Sequence, residues 1–363
     1  MDGGLSNTLE NDWRARAVPL TGPEADILPS VDAEAVARLL ALCPRHAVTP
    51  LIDAVDLAAV AGVARLWIKD ERARMGLGSF KALGAAYAIA REAAEVREQA
   101  GEAAPAWEET LKGRTFATAS AGNHGLSVAA GARLFGAQAV IYLAKTVPEA
   151  FAERLRAKGA EVVRAGADYE ASMAAAQADA LGNGWTPLSD SSWQGYMESA
   201  VAVMEGYLQL AAEAASQIEE VPTHILLQAG VGGLAAAVAA YARHVWGDAP
   251  RIVVVEPEAA PALIESIRAG HLVDTHGPES AMGRLDCKTP SLVALNGLVR
   301  DADLFVTISE EEAAEAVNTL ADHGYATTPS GGAGLAALLA GRVPGCGADA
   351  RVLAILSEGP EDG

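Results

Sequence analysis

Short β-branched runs alternate with longer alanine-rich segments along nearly the whole chain, and this alternation limits the fold more than any other feature. Runs such as Ile252-Val253-Val254-Val255 and Ile225-Leu226-Leu227 are apolar without interruption, the pattern of parallel strands covered on both faces. Strands are expected at Leu66–Lys69, Thr115–Ala117, Ala139–Leu143, Glu161–Arg164, His224–Gln228, Ile252–Glu256, Leu304–Ile308 and Val352–Leu356. Helical patterns lie between them, among them Pro148–Lys158, Ala167–Leu181, Gly195–Ala215 and Glu310–His323. Strand and helix alternating in this way give an α/β fold with doubly wound parallel sheets. Seams are expected at Gly101–Ala106, at the Gly182-Asn183-Gly184 turn and over Gly270–Lys288, and the first 30 residues read as an irregular surface wrap.

Composition narrows the function classes. The chain has 363 residues, 51% of them hydrophobic, enough for a large buried core and for two domains or one large α/β unit. Its formal net charge is −20. A polyanion is repelled by phosphate backbones and anionic membranes, so no nucleic-acid or membrane partner is expected. Three scattered cysteines, Cys43, Cys287 and Cys346, have neither metal-ligand nor disulfide spacing, which suits a reducing cytoplasm and no metal. Met1–Leu5 carries no basic region before an apolar stretch, so no signal peptide is expected.

Six segments could carry chemistry. Lys81, in Gly78-Ser79-Phe80-Lys81-Ala82-Leu83-Gly84, falls where a strand has ended and an alanine-rich helix begins. Partial burial there would lower its pKa and make the amine a nucleophile able to form a Schiff base. An isolated lysine at a helix start is more often a solvated surface group. Ser120-Ala121-Gly122-Asn123-His124-Gly125 follows a strand and precedes a helix, so its free N–H groups suit a carboxylate or phosphate. The plain alternative is a capped helix start with His124 as a packing residue.

Gly230-Val231-Gly232-Gly233-Leu234 repeats the strand–turn–helix context. It lacks the Gly-Lys-Ser/Thr of a nucleotide loop and fits a cup for a single phosphate monoester, or merely a tight turn. In Leu188-Ser189-Asp190-Ser191-Ser192-Trp193-Gln194-Gly195-Tyr196, Asp190 is either a general acid or base in a polar pocket or a helix cap. Finally come Thr328–Gly334, which contains Ser330, and Leu356-Ser357-Glu358-Gly359, in which Ser357 ends the apolar run Val352–Leu356 and so places a hydroxyl at the C-terminal end of a strand, where open α/β sheets bind ligands. The alternative for each serine is a turn hydroxyl bonding its own backbone.

In this order and spacing the motifs resemble the pyridoxal-phosphate enzymes of the tryptophan-synthase-β fold (fold type II) over roughly residues 45–360. Thr49-Pro50-Leu51 and Lys69-Asp70-Glu71 precede the lysine; the Asn-His turn follows it by about 40 residues and the glycine cup by about 150. Within that fold the chain resembles the diaminopropionate ammonia-lyase family through Lys69–Gly84, Asp190–Tyr196, Met204-Glu205-Gly206-Tyr207 and Ala281–Cys287.

The resemblance implies two doubly wound, mostly parallel sheets: a large domain of residues 1–81 and 181–363 and a small one of 82–180, with the cofactor in the cleft between them. It implies pyridoxal 5′-phosphate as cofactor and a homodimer. Lys81 would be the Schiff-base lysine, with Phe80 beside the cofactor and Asn123 on its 3′ oxygen. The backbone of Gly230, Val231, Gly232, Gly233 and Leu234 would cradle its phosphate, and Ser357 would face the pyridine nitrogen as a neutral hydroxyl. Ser120, Ala121, Gly122, His124 and Ser330 would meet the substrate, and Asp190 matches one of the lyase family's two catalytic acids. Ala121 occupies the position of the other acid, so the turn resembles those of serine/threonine dehydratases.

The expected activity is β-elimination from an amino acid such as 2,3-diaminopropionate, giving pyruvate and ammonia, with Lys81 or Asp190 taking the α-proton and Asp190 helping the β-amine depart. A serine/threonine dehydratase is the alternative enzyme, and a non-catalytic binding protein is a third reading that leaves Lys81 without a purpose.

Overall fold

The structure, a computed structural model, describes residues 7–16 and 26–360. Its strands are β1 (Thr8–Glu10), β2 (Leu51–Asp53), β3 (Arg65–Asp70), β4 (Thr115–Ala119), β5 (Gln138–Leu143), β6 (Glu161–Arg164), β7 (Thr186–Pro187), β8 (His224–Gln228), β9 (Arg251–Pro257), β10 (Leu304–Ile308) and β11 (Arg351–Leu356). They form two sheets. One has the order β1-β10-β9-β8-β11-β3-β2, parallel except for its two edge strands; the other, β6-β5-β4-β7, is parallel throughout.

Successive residues of the central strands feed different cores, as the two-residue period of a strand requires. In β9, Ile252 and Val254 join one apolar cluster and Val253 and Val255 another; β11 divides likewise between Leu353/Ile355 and Val352/Ala354/Leu356. Uninterrupted apolar runs are therefore needed because both faces are covered by helices. The smaller sheet turns Phe116, Ile141 and Leu143 into the first of these clusters, while Ala117, Ala119, Val140 and Tyr142 pack with Ala176 and Ala180 of the helix Tyr169–Asn183. One face of each sheet thus shares a common core.

All eight expected strands form, each within two residues of its expected bounds. Three others had no apolar run to betray them. β1, β2 and β7 have two or three residues and lie at sheet edges, and Pro187 in β7 is tolerated there because an edge strand can spare a donor. The N-terminal wrap is partly corrected: it contains β1 and the helix Asp12–Arg16, whereas residues 1–6 and 17–25 lie outside the described residues. The expected helix Gly195–Ala215 is divided into Glu198–Gly206 and Leu208–Gln217. At the break a Cβ on Gly206 would lie 2.5 Å from the Leu83 carbonyl oxygen and 2.8 Å from Gly84 Cα. This helix crosses the lysine-bearing helix at backbone distance, which only small residues permit. Among the described residues no helix is long and apolar enough to cross a membrane.

Candidate active site

The segments singled out in the sequence converge at the C-terminal ends of the parallel strands. Lys81 is the first residue of the helix Lys81–Ala100, after the loop that follows β3. That loop is pinned on two sides. At its end, Phe80 N–H donates to the Ser357 carbonyl at 3.0 Å and Gly359 N–H to the Gly78 carbonyl at 3.0 Å, tying it to the chain leaving β11. At its start lies a buried ionic network. Arg74 donates to both oxygens of Glu71 at 2.7 Å and to Glu213 Oε2 at 2.7 Å, Lys69 Nζ reaches Glu213 at 2.7 Å, and Thr49 Oγ1 donates to Glu71 at 2.6 Å. Two cations face two carboxylates with almost no solvent. This accounts physically for the Thr49 and Lys69–Arg74 portion of the motif.

Lys81 Nζ donates to Asp190 Oδ2, and the two side chains are only 22% and 20% exposed. The expectation of a lowered amine is reversed. Burial works to lower Lys81, but the Asp190 carboxylate outweighs it and the amine is raised above its ordinary value. Burial likewise works to raise Asp190, and Lys81 with His124 overcomes it, leaving the carboxyl depressed. In the protein alone the pair is ammonium and carboxylate. The Phe80 and Tyr207 rings lie 5.3 and 6.0 Å from Nζ and meet edge to face at 4.9 Å.

Asp190 caps no helix: the next one begins at Glu198 with no side-chain cap. Its loop is rigid. Tyr196 Oη donates to the Pro187 carbonyl and accepts from Ser189 N–H, both at 2.9 Å, and the Trp193 and Tyr196 rings stack at 4.4 Å. Ser192 Oγ meets Ser291 Oγ at 2.7 Å and accepts from Val293 N–H at 2.9 Å.

Opposite stands the turn after β4. Gly122 is the N-cap and a Cβ on it would meet nothing within 4 Å, so the turn opens on free space. The Ser120 hydroxyl accepts from Gly122 and Gly125 N–H at 3.2 and 3.1 Å. Among the described residues the N–H groups of Ala121, Asn123 and His124 find no acceptor, and these are the donors left for an anion. His124 is buried; its Nε2 lies 2.8 Å from the Leu188 carbonyl oxygen, so the proton sits there and Nδ1 is left without a partner. Burial first, with Lys81 also contributing, lowers its pKa against the pull of Asp190.

The glycine turn lies after β8. The first main-chain bond of its helix is Ala236 N–H to the Gly232 carbonyl at 2.9 Å, and among the described residues the N–H groups of Gly232, Gly233 and Leu234 are unbonded. The Cys287 sulfur lies beside this turn, and burial pushes its thiol up to about 12. Gly232 has φ +96°, and a Cβ on Gly230 would come within 2.9 Å of that sulfur. Gly233 approaches Tyr207 and the Asp190 carbonyl, so the turn is contiguous with the lysine. Ser357 is buried, and its hydroxyl makes no hydrogen bond among the described residues. The Ser330 hydroxyl is occupied differently, accepting from Arg284 N–H at 3.1 Å.

Three residues were not legible as site residues. Glu358 accepts from Asn123 Nδ2 at 2.6 Å, Cys287 lines the glycine turn, and the Tyr207 hydroxyl is buried without a partner beside Lys81. Each lay inside or next to a quoted motif, but nothing in the sequence says which side chain turns inward.

An amine at the strand mouths, a turn of unbonded N–H donors sized by glycines, an unbonded buried hydroxyl and a primary amide form a donor set that fits an aldehyde-bearing, phosphorylated pyridine. Fold and site together define a pyridoxal-phosphate-dependent enzyme, and the chain belongs to that family: residues 42–358 match the family described as pyridoxal-phosphate dependent enzyme. Within it the chain is similar to diaminopropionate ammonia-lyases. It is 36% identical to that of Salmonella typhimurium over 69% of this chain and 66% of the relative, and 34% identical to that of Escherichia coli K12 over 80% and 77%. The crystal structure of the E. coli enzyme in complex with an aminoacrylate-PLP azomethine reaction intermediate superposes with a TM-score of 0.84 at 29% identity, over 97% of this chain and 93% of that one. Human L-serine dehydratase/L-threonine deaminase is 30% identical over 81% of this chain and 83% of its own length.

Proposed function

We propose that this chain is an ammonia-lyase that removes the β-substituent of an amino acid such as 2,3-diaminopropionate by β-elimination, giving pyruvate and ammonia. The observation that carries this reading is the contact of Lys81 with Asp190 at the mouths of β3, β4, β7, β8 and β11. When bound, pyridoxal phosphate supplies the electron sink that acidifies the α-carbon. Lys81 is its anchoring amine, Gly230, Val231, Gly232, Gly233 and Leu234 hold its phosphate, Phe80 flanks it, Asn123 holds its ring oxygen, and Ser357 offers the ring nitrogen an uncharged hydroxyl. The N–H groups of the turn Ser120–His124 receive the substrate carboxylate.

Lys81 and Asp190 then divide the proton work. One member of the pair takes the α-proton; a β-ammonium group then departs as ammonia and needs no further proton, whereas a hydroxyl leaves only once the other member protonates it. A cationic β-amine is drawn to Asp190, which favours a diamino acid over a hydroxy amino acid. Residues 82–180 are read as a smaller domain that closes over the substrate and excludes water. A homodimer in the cytoplasm completes the reading, supported by the family resemblance and by three free cysteines.

A second reading, a serine or threonine dehydratase, is favoured by Ala121, which leaves the turn without an acid. An amino-acid panel with pyruvate detection separates the two. Rapid release of pyruvate from 2,3-diaminopropionate, abolished in Lys81→Ala, is expected; fast turnover of serine with an inert diamino acid would overturn the first reading.

A further inference from the structure

Glu358 is a carboxylate that ties the two sheets together beside the proposed cofactor ligands. It follows Ser357 at the end of β11 and is 4% exposed. Its Oε2 accepts from Asn123 Nδ2 at 2.6 Å; its Oε1 accepts from Arg284 Nη1 at 3.0 Å and from the Thr328 hydroxyl. Its carbonyl accepts from Thr327 Oγ1 at 2.6 Å, and a Cβ on Gly331 would lie 2.8 Å from its Cγ. The side chain is thus packed in place, and Arg284 supplies the charge a buried carboxylate needs. Asn123 comes from the other sheet, at the start of the helix following β4.

A terminal amide is free to turn about its last bond, so either its oxygen or its nitrogen can face a given point. An anionic acceptor in contact removes that choice. Glu358 can only accept, so it fixes the Asn123 nitrogen and leaves the second N–H of that nitrogen as a donor of defined direction. We infer that Glu358 is a positioning residue for the cofactor, acting through Asn123 to hold the amide in the orientation that binds the ring oxygen. This inference rests on the reading of Asn123 as a cofactor ligand given above. It adds a second acid to the site, reached from the C-terminal strand and absent from the motif roles.

The test is a double-mutant cycle on the full-length chain stripped of cofactor and titrated with pyridoxal 5′-phosphate, following protein fluorescence, with thermal unfolding of each stripped variant alongside. Asn123→Ala and Glu358→Ala are each expected to weaken cofactor binding about tenfold, the scale of a charge-assisted hydrogen bond. The double variant should bind no more weakly than Asn123→Ala alone, and Glu358→Gln, which keeps an acceptor for Asn123, should recover part of the loss. Should Glu358→Ala not fold, Glu358→Gln in both backgrounds makes the same comparison. Additive losses, or a lower melting temperature with unchanged cofactor affinity, would overturn the positioning role while leaving Asn123 as a ligand. If Asn123→Ala binds cofactor as tightly as the parent chain, the reading of Asn123 itself fails.

Discussion

The buried network behind the lysine loop makes a quantitative prediction for Arg74→Met. Arg74 Nη2 sits 2.7 Å from Glu71 Oε1 and 2.7 Å from Glu213 Oε2, so it separates two carboxylates that have only Lys69 as another cation within the network. The side chains of Lys69, Glu71 and Arg74 are 0% exposed and that of Glu213 is 4%. Burial works to raise Glu213, yet Arg74 above all, with Lys69 and Gln209, lowers it from 4.5 to about 2. That depression is worth about 3 kcal/mol of stability at neutral pH, within the roughly 3–5 kcal/mol lost when one partner of a buried ion pair is removed.

The pH dependence has a definite sign. In the parent chain the folded pKa of Glu213 lies below its unfolded value, so its contribution is present above about pH 4.5 and fades as pH falls through about 2. In Arg74→Met two carboxylates share one ammonium in a dry site, and the folded pKa of one rises above its unfolded value. That variant is penalised most at pH 7–8 and recovers as the acid takes up a proton. Urea unfolding of the cofactor-free chain at pH 7.5 should therefore show a loss of about 3 kcal/mol, and the gap to the parent should narrow at pH 5. A loss below about 1 kcal/mol, or a gap independent of pH, would refute the assignment of this network as a charge-balanced anchor.

Two further predictions concern the site itself. Asp190→Asn removes the charge that raises Lys81, so burial should prevail and the amine should titrate below its parent value. Mass-spectrometric labelling of Lys81 in the cofactor-free protein across a pH series checks this, and the elimination rate should fall by about 10²–10⁴; unchanged labelling would show that Asp190 does not control the amine. Gly206→Ala forces a Cβ to within 2.5 Å of the Leu83 carbonyl oxygen, two residues from Lys81. It should cost about 1–3 kcal/mol by overpacking and weaken cofactor binding, whereas Gly182→Ala, where nothing lies within 4 Å, should do neither.

What could be read from the sequence was whatever repeats along it. The central strands announced themselves because a strand covered on both faces has no polar positions, and β9 and β11 place alternate side chains in different clusters for that reason. The site turns were legible because small residues at a strand–helix junction leave N–H groups unbonded regardless of distant partners. Edge strands such as β2, three residues long with its outer edge unpaired, carry no such periodicity.

Pairings across the chain were illegible for a deeper reason. The lowered pKa expected for Lys81 followed correctly from burial alone, and its sign changed because a carboxylate 109 residues away in sequence reaches the same point. Glu358 presents the same problem in sharper form. Its neighbour Ser357 could be placed by its position at a strand end, but the partners of Glu358, Asn123 and Arg284, lie 235 and 74 residues away. Local physics thus fixes which groups can enter such a site, whereas the protonation state of each is set by contacts that only the assembled sheets create. A burial-derived pKa at this site therefore changes sign where the opposite sheet supplies a strong opposing charge, as for Lys81, and keeps its sign where burial prevails, as for His124 and Cys287.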